Sequence, residues 1–540
     1  LPKPPRAISS SVRLLATRPG PVAEYDIPPE KMTDAQKKEL QGQIDKLLDD
    51  PGYVRHWTNV WTNLTIGQET PMRVSRKGME KFLREAFTKN RPWNEVVMDI
   101  VSAEGHFEEN GAVNYLLAQM VMPDDGVLAT AKTTRLFMGM QVQCTQCHNH
   151  PFDRWTLDDY YGFAAFFAGV NLKRGVEGRE VIVTNNNNAN TVPHPVDGRA
   201  MKPKFLGGDA PEVEGQDPRK ALAAWMTAPE NIAFSQTMAN VMWSHFFGRG
   251  IVDPVDDVRI SNPPSNKELL EELGKKLVTY KFDKKKLIRD ICVSRTYQLS
   301  ATTNATNELD QSYFSHGYVR RLRAEVLLDT ISKITGTEDR FSLSPPGTRA
   351  VQIHTGEVTN YFLTTFGRAP RETPCSCEVN KEANLSQALH LVNGDTITVK
   401  IAQGTLLPAL LKEKKTPEAV IEELYVRALC RKPNDGERKK LVEIVERELK
   451  DTEHMKQVVE NRVSTDANYN RNKDRIEKLK LDLSKLPKDS KEAASLLKQL
   501  GTLEQQQKDI VKNSEYVATL GVYGDILWGL FNSTEFTFNH

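Results

Sequence analysis

Five consecutive residues of this 540-residue chain have the types and the spacing to hold a cofactor: Cys144-Thr145-Gln146-Cys147-His148. Two thiols one helical turn apart can each add to a vinyl group on one edge of a haem, and the histidine that follows then faces the iron as an axial ligand. The thioether bonds make the cofactor permanent. The motif therefore predicts one covalent haem c on Cys144 and Cys147, with His148 as the proximal ligand of the haem iron.

Three other interpretations of this motif stay open. Zinc could be bound by Cys144, Cys147, His148 and His150, although adjacent cysteine and histidine residues rarely close a tetrahedron. The two cysteines could instead form a disulfide, or a thioredoxin-like dithiol, although no βαβ pattern surrounds them. Haem is favoured because the five-residue motif is specific.

The sixth ligand of the iron is not fixed by the motif. His150 lies too close to His148 in sequence to reach the opposite face of the ring plane. The remaining candidates for the distal position are two histidines and two methionines: His245, His390, Met140 and Met242. Such residues at helical spacing are more often part of a core. A filled sixth position would suit electron transfer, and an open one would suit catalysis.

Four further cysteines lie outside the motif. Cys375 and Cys377 are separated by one residue, which indicates a strained local disulfide or two structural thiols. Cys292 and Cys430 stand among apolar residues and are predicted to be small buried hydrophobes. This density of cysteines is far below that of a disulfide scaffold.

The elements around the motif are predicted to be helices. Residues 128–140 form an apolar stripe directly before the first cysteine, and Thr156 can cap a new helix at the backbone N–H of Asp159. Asp217 followed by Pro218 predicts another helix start, and Ser265 with Glu268 forms a capping-box pattern. We therefore expect a mainly α fold.

The segment 446–513 stands apart because it is rich in charged and amide side chains. Its apolar residues step at helical spacing towards a turn at 487–490 and then step back: Ile476, Leu479, Leu483, Leu486, Leu496, Leu500, Leu503 and Ile510. This pattern predicts an antiparallel helical hairpin with a narrow coiled-coil seam. The hairpin is either a solvated protrusion or an arm for assembly.

The predicted organisation is a multi-helix haem-bearing domain, an irregular connector and a second helical domain with the hairpin inserted. In order, we expect an extended arm at 1–30, the haem-bearing domain at 31–170, the connector at 171–216, the second domain at 217–445, the hairpin at 446–513, and a helical segment at 514–540 that returns to the second domain.

Composition excludes some classes of partner. The formal net charge is +1, so no overall field favours nucleic acid. No stretch reaches the roughly 18 apolar residues that a membrane helix needs. The first residue is Leu1, and a signal peptide could have been removed. Covalent haem attachment needs a maturation system outside the cytoplasm, so we expect a periplasmic, cell-surface or extracellular location.

Several stretches also carry a resemblance to known families. Residues 141–153, with Trp155 and the aromatic run at 159–167, resemble the planctomycete cytochrome-c-like domain, and residues 53–61 and 103–105 resemble its upstream part. A planctomycete-specific domain of unknown function usually follows it. That second domain is similar to residues 239–250, 253–257, 262–265, 294–298, 371–378, 385–390 and 527–540 of this chain.

The resemblance covers most of residues 50–540 and implies a large extracytoplasmic protein with a haem-type motif at Cys144, Cys147 and His148. It implies no settled activity. Two departures from the usual pattern, the lack of a cytochrome domain upstream and the insertion at 446–513, favour a role in assembly over a simple electron relay.

Three functions are compatible with the sequence. The first is electron transfer to or from a redox protein partner. The second is a structural role in a bacterial envelope or surface complex, in which haem is a structural cofactor and the chain assembles with itself through the hairpin into a homo-oligomer. The third is a haem-dependent, peroxidase-like oxidoreductase, with Arg154, Arg249 or Arg371 as polar groups of its pocket. Whether the chain is an enzyme is left undecided.

Overall fold

The computed structural model describes residues 32–67, 73–119, 126–174, 181–299, 301–342, 344–353, 360–368, 384–413, 415–487 and 490–539. It has 62% helix and 4% strand, so the predicted mainly α fold class is confirmed. The predicted arm at 1–30, together with Arg371, Cys375 and Cys377, lies outside the described residues.

Short helices build the first half of the chain. They are α1 (Asp34–Asp49), α2 (Pro51–Ile66), α3 (Arg76–Thr88), α4 (Trp93–Val101), α5 (Asn114–Gln119), α6 (Val127–Met138), α7 (Leu157–Ala164), α8 (Pro218–Met226), α9 (Ile232–Phe247), α10 (Lys267–Thr279) and α11 (Lys284–Val293). Many begin at a side-chain cap: Asp50 accepts from the N–H of Gly52 at 2.6 Å, with Pro51 in the first position of α2. Such caps satisfy backbone donors that the helix leaves unpaired.

One continuous apolar core joins these helices. It runs from Met32 to Phe314 and includes large, fully buried aromatic residues such as Trp57, Trp61 and Trp93. Helices α8 to α11 contribute to this same core, although residues 217–445 are predicted to form the second domain. The predicted domain boundaries stay predictions, but the helices on both sides of residue 217 pack together.

The segment between α7 and α8, predicted as an irregular connector, contains four short strands in its described residues, and one of them pairs with a strand that precedes α5. Strands β1 (Gly105–His106), β2 (Val170–Arg174) and β3 (Val181–Asn185) form an antiparallel sheet in the order β1-β3-β2, with Val183 opposite Gly105 and Leu172. Strands β4 (Val192–Pro193) and β5 (Ala200–Met201) pair with each other. The predicted connector at 171–216 contributes Val181, Val183 and Leu206 to the first core.

The second half is built from another set of helices. They are α12 (Ala324–Thr335), α13 (Tyr361–Thr365), α14 (Leu385–Asn393), α15 (Asp395–Gln403), α16 (Leu406–Lys412), α17 (Pro417–Leu429), α18 (Asp435–Lys450), α19 (Thr452–Thr465), α20 (Ala467–Leu483), α21 (Lys491–Phe531) and α22 (Thr534–Thr537). A second core runs from Leu322 to Phe536. Strands β6 (Arg320–Arg321) and β7 (Phe538–Asn539) pair, which ties the end of the described chain to the junction of the two cores.

The predicted hairpin is formed by α20 and the first part of α21. Pairs of side chains cross between them in antiparallel register, with Asn472 bonded to Gln506 at 3.2 Å and Lys480 to Glu504 at 3.1 Å. Ile476 is buried in the seam. Helix α21 then continues without a break to Phe531 in the second core, so the second arm of the hairpin and the predicted returning segment are one helix.

No helix in the described part of the chain is both long and apolar enough to cross a membrane.

Candidate functional site

The cysteine motif lies on a short turn that follows the end of α6. Gly139 ends α6 in the left-handed conformation, with φ of 68°, and a Cβ atom there would come within 2.7 Å of Thr237 Oγ1 on α9. The N–H of Val258 also donates to the carbonyl of Gly139 at 2.7 Å. These contacts fix the position of Gly139, which lies shortly before the 3-10 turn Gln143–Gln146.

Gln146 attaches this turn to α7 through two tyrosines. Its Nε2 donates to Tyr160 OH at 2.8 Å, and Tyr160 OH donates to the carbonyl of Val127 at 2.5 Å. The backbone carbonyl of Gln146 accepts from Tyr161 OH at 3.1 Å. Because both its side chain and its carbonyl are bound, Gln146 is a positioning residue of the motif.

Thr145 points into the protein, and the two cysteines point out. Thr145 is fully buried, and its hydroxyl donates to the carbonyl of Val142. Cys144 and Cys147 are both exposed, and both are free thiols. Cys144 lies in the 3-10 turn, and Cys147 is the residue that ends it, so both thiols are presented at the surface by the same short turn. The disulfide alternative is not formed in this structure.

His148 is exposed, and its ring orientation is set by the neighbouring peptide. Nδ1 lies 2.7 Å from the carbonyl oxygen of Asn149. A carbonyl oxygen only accepts, so Nδ1 carries the ring proton and the lone pair of the neutral ring is on Nε2. A histidine that binds a metal commonly donates its other ring N–H in this way. The imidazole therefore presents Nε2 as a possible iron ligand.

A compact loop follows His148. The side chain of Asn149 accepts from the N–H of Leu157 at 3.1 Å, and the N–H of His150 donates to the carbonyl of Trp155 at 2.9 Å. His150 Nδ1 accepts from the N–H of Phe152 at 3.1 Å. Phe152 is 67% exposed, so the loop carries an uncovered aromatic ring beside the motif.

The zinc alternative has no ligand cluster to support it. Within the described residues, which include the whole of 143–150, no group of three His, Cys, Asp or Glu side chains is arranged to hold a metal ion. One of the four proposed ligands, His150, uses Nδ1 inside its own loop. A haem needs only the two thiols and one imidazole from this segment, and these groups are free to provide them.

The four candidates for the distal position are dispersed. Met140 is half-buried just before the motif, and Met242 is 1% exposed inside the first core. His245 packs edge-on against Trp57, with ring centroids 4.8 Å apart. His390 belongs to the second core, where its ring contacts Phe362 at 5.5 Å and its Nε2 lies 3.1 Å from Thr396 Oγ1. The structure does not gather these side chains around His148, and the sixth ligand stays unassigned.

The arginines proposed for a peroxidase-like pocket are also separate. The guanidinium of Arg154 lies 4.5 Å from the centre of the Trp155 ring. Arg249 donates to the carbonyl of Gln311 at 3.2 Å and lies 3.7 Å from a carboxylate oxygen of Asp253. Each of the two has its own local partner, and Arg371 lies outside the described residues.

Sequence reasoning missed a polar cluster on the far side of Tyr161. His194 is 7% exposed, with Nε2 3.3 Å from Asp158 and Nδ1 3.0 Å from Asp197. Its ring packs against the ring of Tyr161 at 6.1 Å. Burial and the nearby Cys147 raise the pKa of Tyr161. The cluster therefore fixes the tyrosine that holds the motif, and it comes from the connector, where no spacing in the sequence indicated it.

Two family models match the chain. PSCyt2, described as a protein of unknown function (DUF1549), matches residues 23–172, and PSD1, described as a protein of unknown function (DUF1553), matches residues 218–445. Both are planctomycete-associated domains of unknown function, so a succession of two planctomycete-associated domains is confirmed. The cytochrome-c-like character expected of the first domain stays a prediction. A search of curated proteins found no match, and neither did a search of solved structures.

Proposed function

We propose that the chain is an extracytoplasmic c-type haem protein that transfers electrons. The observation that carries this proposal is the arrangement of Cys144, Cys147 and His148: two free, exposed thiols on one short turn, followed by an imidazole with Nε2 available. The donor set and its spacing fit a haem bound by two thioethers and one axial histidine. When bound, haem supplies one-electron redox chemistry.

The contribution of the protein to this function is to keep the cysteine turn in one conformation. Gln146 is bound on both its side chain and its carbonyl, and Thr145 is buried between the two cysteines. The carbonyl of Asn149 keeps the proton of His148 on Nδ1. These contacts preorganise the sulfurs and the imidazole, so little rearrangement is needed when the cofactor is attached.

Exposure of the site favours electron transfer over catalysis. Cys144, Cys147 and His148 all lie at the surface, so a group held by them would be close to a docked redox protein. Neither described arginine of the peroxidase-like alternative contacts the motif: Arg154 stacks on Trp155 and Arg249 pairs with Asp253. A location outside the cytoplasm follows from the maturation that thioether formation needs, and it is part of the same proposal.

Intact-protein mass spectrometry tests the cofactor. The full chain is expressed with export and a cytochrome c maturation system, and we expect the added mass of one haem and a Soret band. Cys144→Ala/Cys147→Ala should remove both. The matched control is Cys375→Ala/Cys377→Ala, which deletes the same number of thiols outside the motif and should keep the haem. A colourless wild-type protein of unmodified mass after proven maturation would refute the proposal.

A further inference from the structure

Helix α2 carries an unusual number of buried polar atoms that have no partner. In the described part of the chain, seven of its side-chain nitrogen and oxygen atoms are buried without a hydrogen bond: Tyr53 OH, His56 Nε2, Trp57 Nε1, Thr58 Oγ1, Asn59 Oδ1, Trp61 Nε1 and Thr62 Oγ1. A buried donor or acceptor without a partner costs about 1–3 kcal/mol. Such a concentration on one helix calls for a specific explanation.

Three of these residues line one pocket. His56, Thr58 and Asn59 form part of its wall, and α3 and the segment 349–352 close it from the other sides. The pocket lies at the junction of the two cores, where Asn59 Nδ2 donates to the carbonyl of Val351 at 2.8 Å. Its volume is about 100 Å³, well below the roughly 300–1,000 Å³ of sites for drug-sized ligands. It therefore has the size for a small ion or a single functional group.

The rim of this pocket is strongly basic. It includes four arginines, Arg55 on α2, Arg84 on α3, Arg323 at the start of α12 and Arg349, but only one acidic residue, Glu80. The acidic residue already pairs with Arg76, at 3.0 Å between Nε and Oε1. Arg349 lies 3.3 Å from Asp329. The other three arginines form no ion pair in the described structure, so the pocket holds an excess of positive charge.

We propose that this pocket binds a doubly charged tetrahedral oxyanion, either a free phosphate or sulfate ion or such a group on a larger ligand. Guanidinium groups suit this ligand because their planar N–H donors match phosphate and sulfate oxygens. From the pocket wall, the Thr58 hydroxyl and the N–H of His56, in the tautomer protonated at Nε2, can donate to the same anion. The Thr58 side chain is 3% exposed, so its hydroxyl has no access to bulk water.

The basic rim and the donors of the wall come from distant parts of the sequence. Arg55, His56 and Thr58 lie on α2, which packs in the first core, whereas Arg323 and Arg349 directly precede Ala324 and Ala350 of the second. The positive charge of Arg323 contributes to lowering the pKa of His56, which burial lowers most. An anion between the two halves would neutralise this repulsion. Oxyanion binding should therefore also tighten the junction of the two cores.

Isothermal titration calorimetry on the full chain tests the site. Inorganic phosphate and sulfate are titrated at constant ionic strength in chloride, with acetate as the planar, singly charged comparison. We expect one equivalent of phosphate or sulfate to bind and acetate to bind far more weakly. Arg55→Gln and Arg323→Gln should each weaken binding about tenfold, the size of one charge-assisted hydrogen bond. Both side chains are exposed, so both variants should fold.

Two further variants make the test specific. Arg475→Gln removes the same charge from an exposed position on the hairpin and should leave binding unchanged. Thr58→Val deletes the orphaned hydroxyl while it keeps the shape of the side chain, and it should weaken binding without lowering the unfolding temperature of the free protein. The proposal is overturned if neither oxyanion binds, if acetate binds equally well, or if Arg475→Gln weakens binding as much as Arg55→Gln.

Discussion

The cysteine turn and the pocket on α2 differ in whether their buried polar groups have hydrogen-bond partners. Around the turn, the hydroxyls of Thr145, Tyr160 and Tyr161 all donate to backbone carbonyls. On α2, the hydroxyl of Thr58 in the pocket and the hydroxyl of Tyr53 outside it are both buried and have no partner in the described structure. The two regions belong to the same apolar core, so their difference does not come from different degrees of packing.

The difference follows from how each region would hold its ligand. A haem attached through thioethers is retained by covalent bonds, so the protein can use its own hydrogen bonds to fix the turn. An oxyanion is retained only by donors that have no other partner, and those donors must be left unsatisfied until it binds. A binding site of the second kind therefore lowers the stability of the free protein.

A matched pair of tyrosines tests this comparison most strongly. Tyr160→Phe removes a hydroxyl that accepts from Gln146 and donates to Val127, and it should lower the free energy of unfolding by about 1–3 kcal/mol. Tyr53→Phe removes a hydroxyl of the same burial that has no partner, and it should leave the stability unchanged or slightly higher. Urea unfolding of both variants, in buffer free of phosphate and sulfate, measures the difference.

The two tyrosine variants also control for one another, since each loses a single oxygen atom from a fully buried ring on a helix. Equal losses of stability in Tyr53→Phe and Tyr160→Phe would show that the Tyr53 hydroxyl is satisfied. The contrast between the two regions would then have no basis.

A matched pair of threonines gives a smaller effect. Thr145→Val breaks the bond to the carbonyl of Val142 and should cost about 1 kcal/mol, the typical net value of one hydrogen bond. Thr58→Val breaks none and should cost nothing. The same urea titrations check this. A stability loss in Thr58→Val as large as in Thr145→Val would contradict the assignment of Thr58 as a donor kept for a ligand.

The sequence was a good guide wherever the signal is local. The predicted caps are confirmed: Thr156 accepts from the N–H of Asp159 at 3.2 Å, and Asp217 accepts from the N–H of Arg219 at 3.0 Å. The predicted seam of the hairpin is likewise formed, with Ile476 buried between α20 and α21. Caps and seams depend on residues within a few positions of one another, and a pattern in the sequence therefore predicts them.

Tertiary contacts overrode the local signal in other places. The capping box predicted at Ser265 is wrong by one residue, because Asn266 accepts from the N–H of Leu269 at 2.9 Å. Ser265 instead donates its hydroxyl to the carbonyl of Ile251 at 3.1 Å. The composition changes near residue 513, and a boundary is predicted there. Helix α21 instead passes through this position without a break and is 41 residues long.

The two candidate sites also differ in whether their residues are close together in the sequence. Cys144, Cys147 and His148 are adjacent in sequence, so the motif is visible without a structure. The pocket on α2 brings His56 together with Arg323 and Arg349, which lie more than 260 positions away. No periodicity or motif connects residues at that separation, so the pocket could be found only after the chain was folded.

A further effect, similar in size to that of the threonine pair, is a dependence of stability on pH through His56. Burial, Arg323 and His245 lower the pKa of His56 well below 6.5, and Arg55, Arg84, Arg349 and Glu80 are the other charged groups that line its pocket. Since an unfolded histidine titrates near 6.5, the unfolded chain takes up a proton below that pH and the folded chain does not. The contribution of His56 to stability is therefore complete above about pH 6.5 and is lost as the pH falls. Between pH 7.5 and 5.5 the loss should be about 1 kcal/mol.

His56→Gln should abolish this part of the pH dependence, whereas His454→Gln, at an exposed position on α19, should not. Thermal unfolding at the two pH values, with and without phosphate, separates the contributions. A bound oxyanion would favour the protonated imidazole and raise its pKa, so phosphate should reduce the loss at pH 5.5 in the wild type and not in His56→Gln. If phosphate protects both proteins equally, the anion binds elsewhere, and the orphaned polar groups of α2 need another explanation.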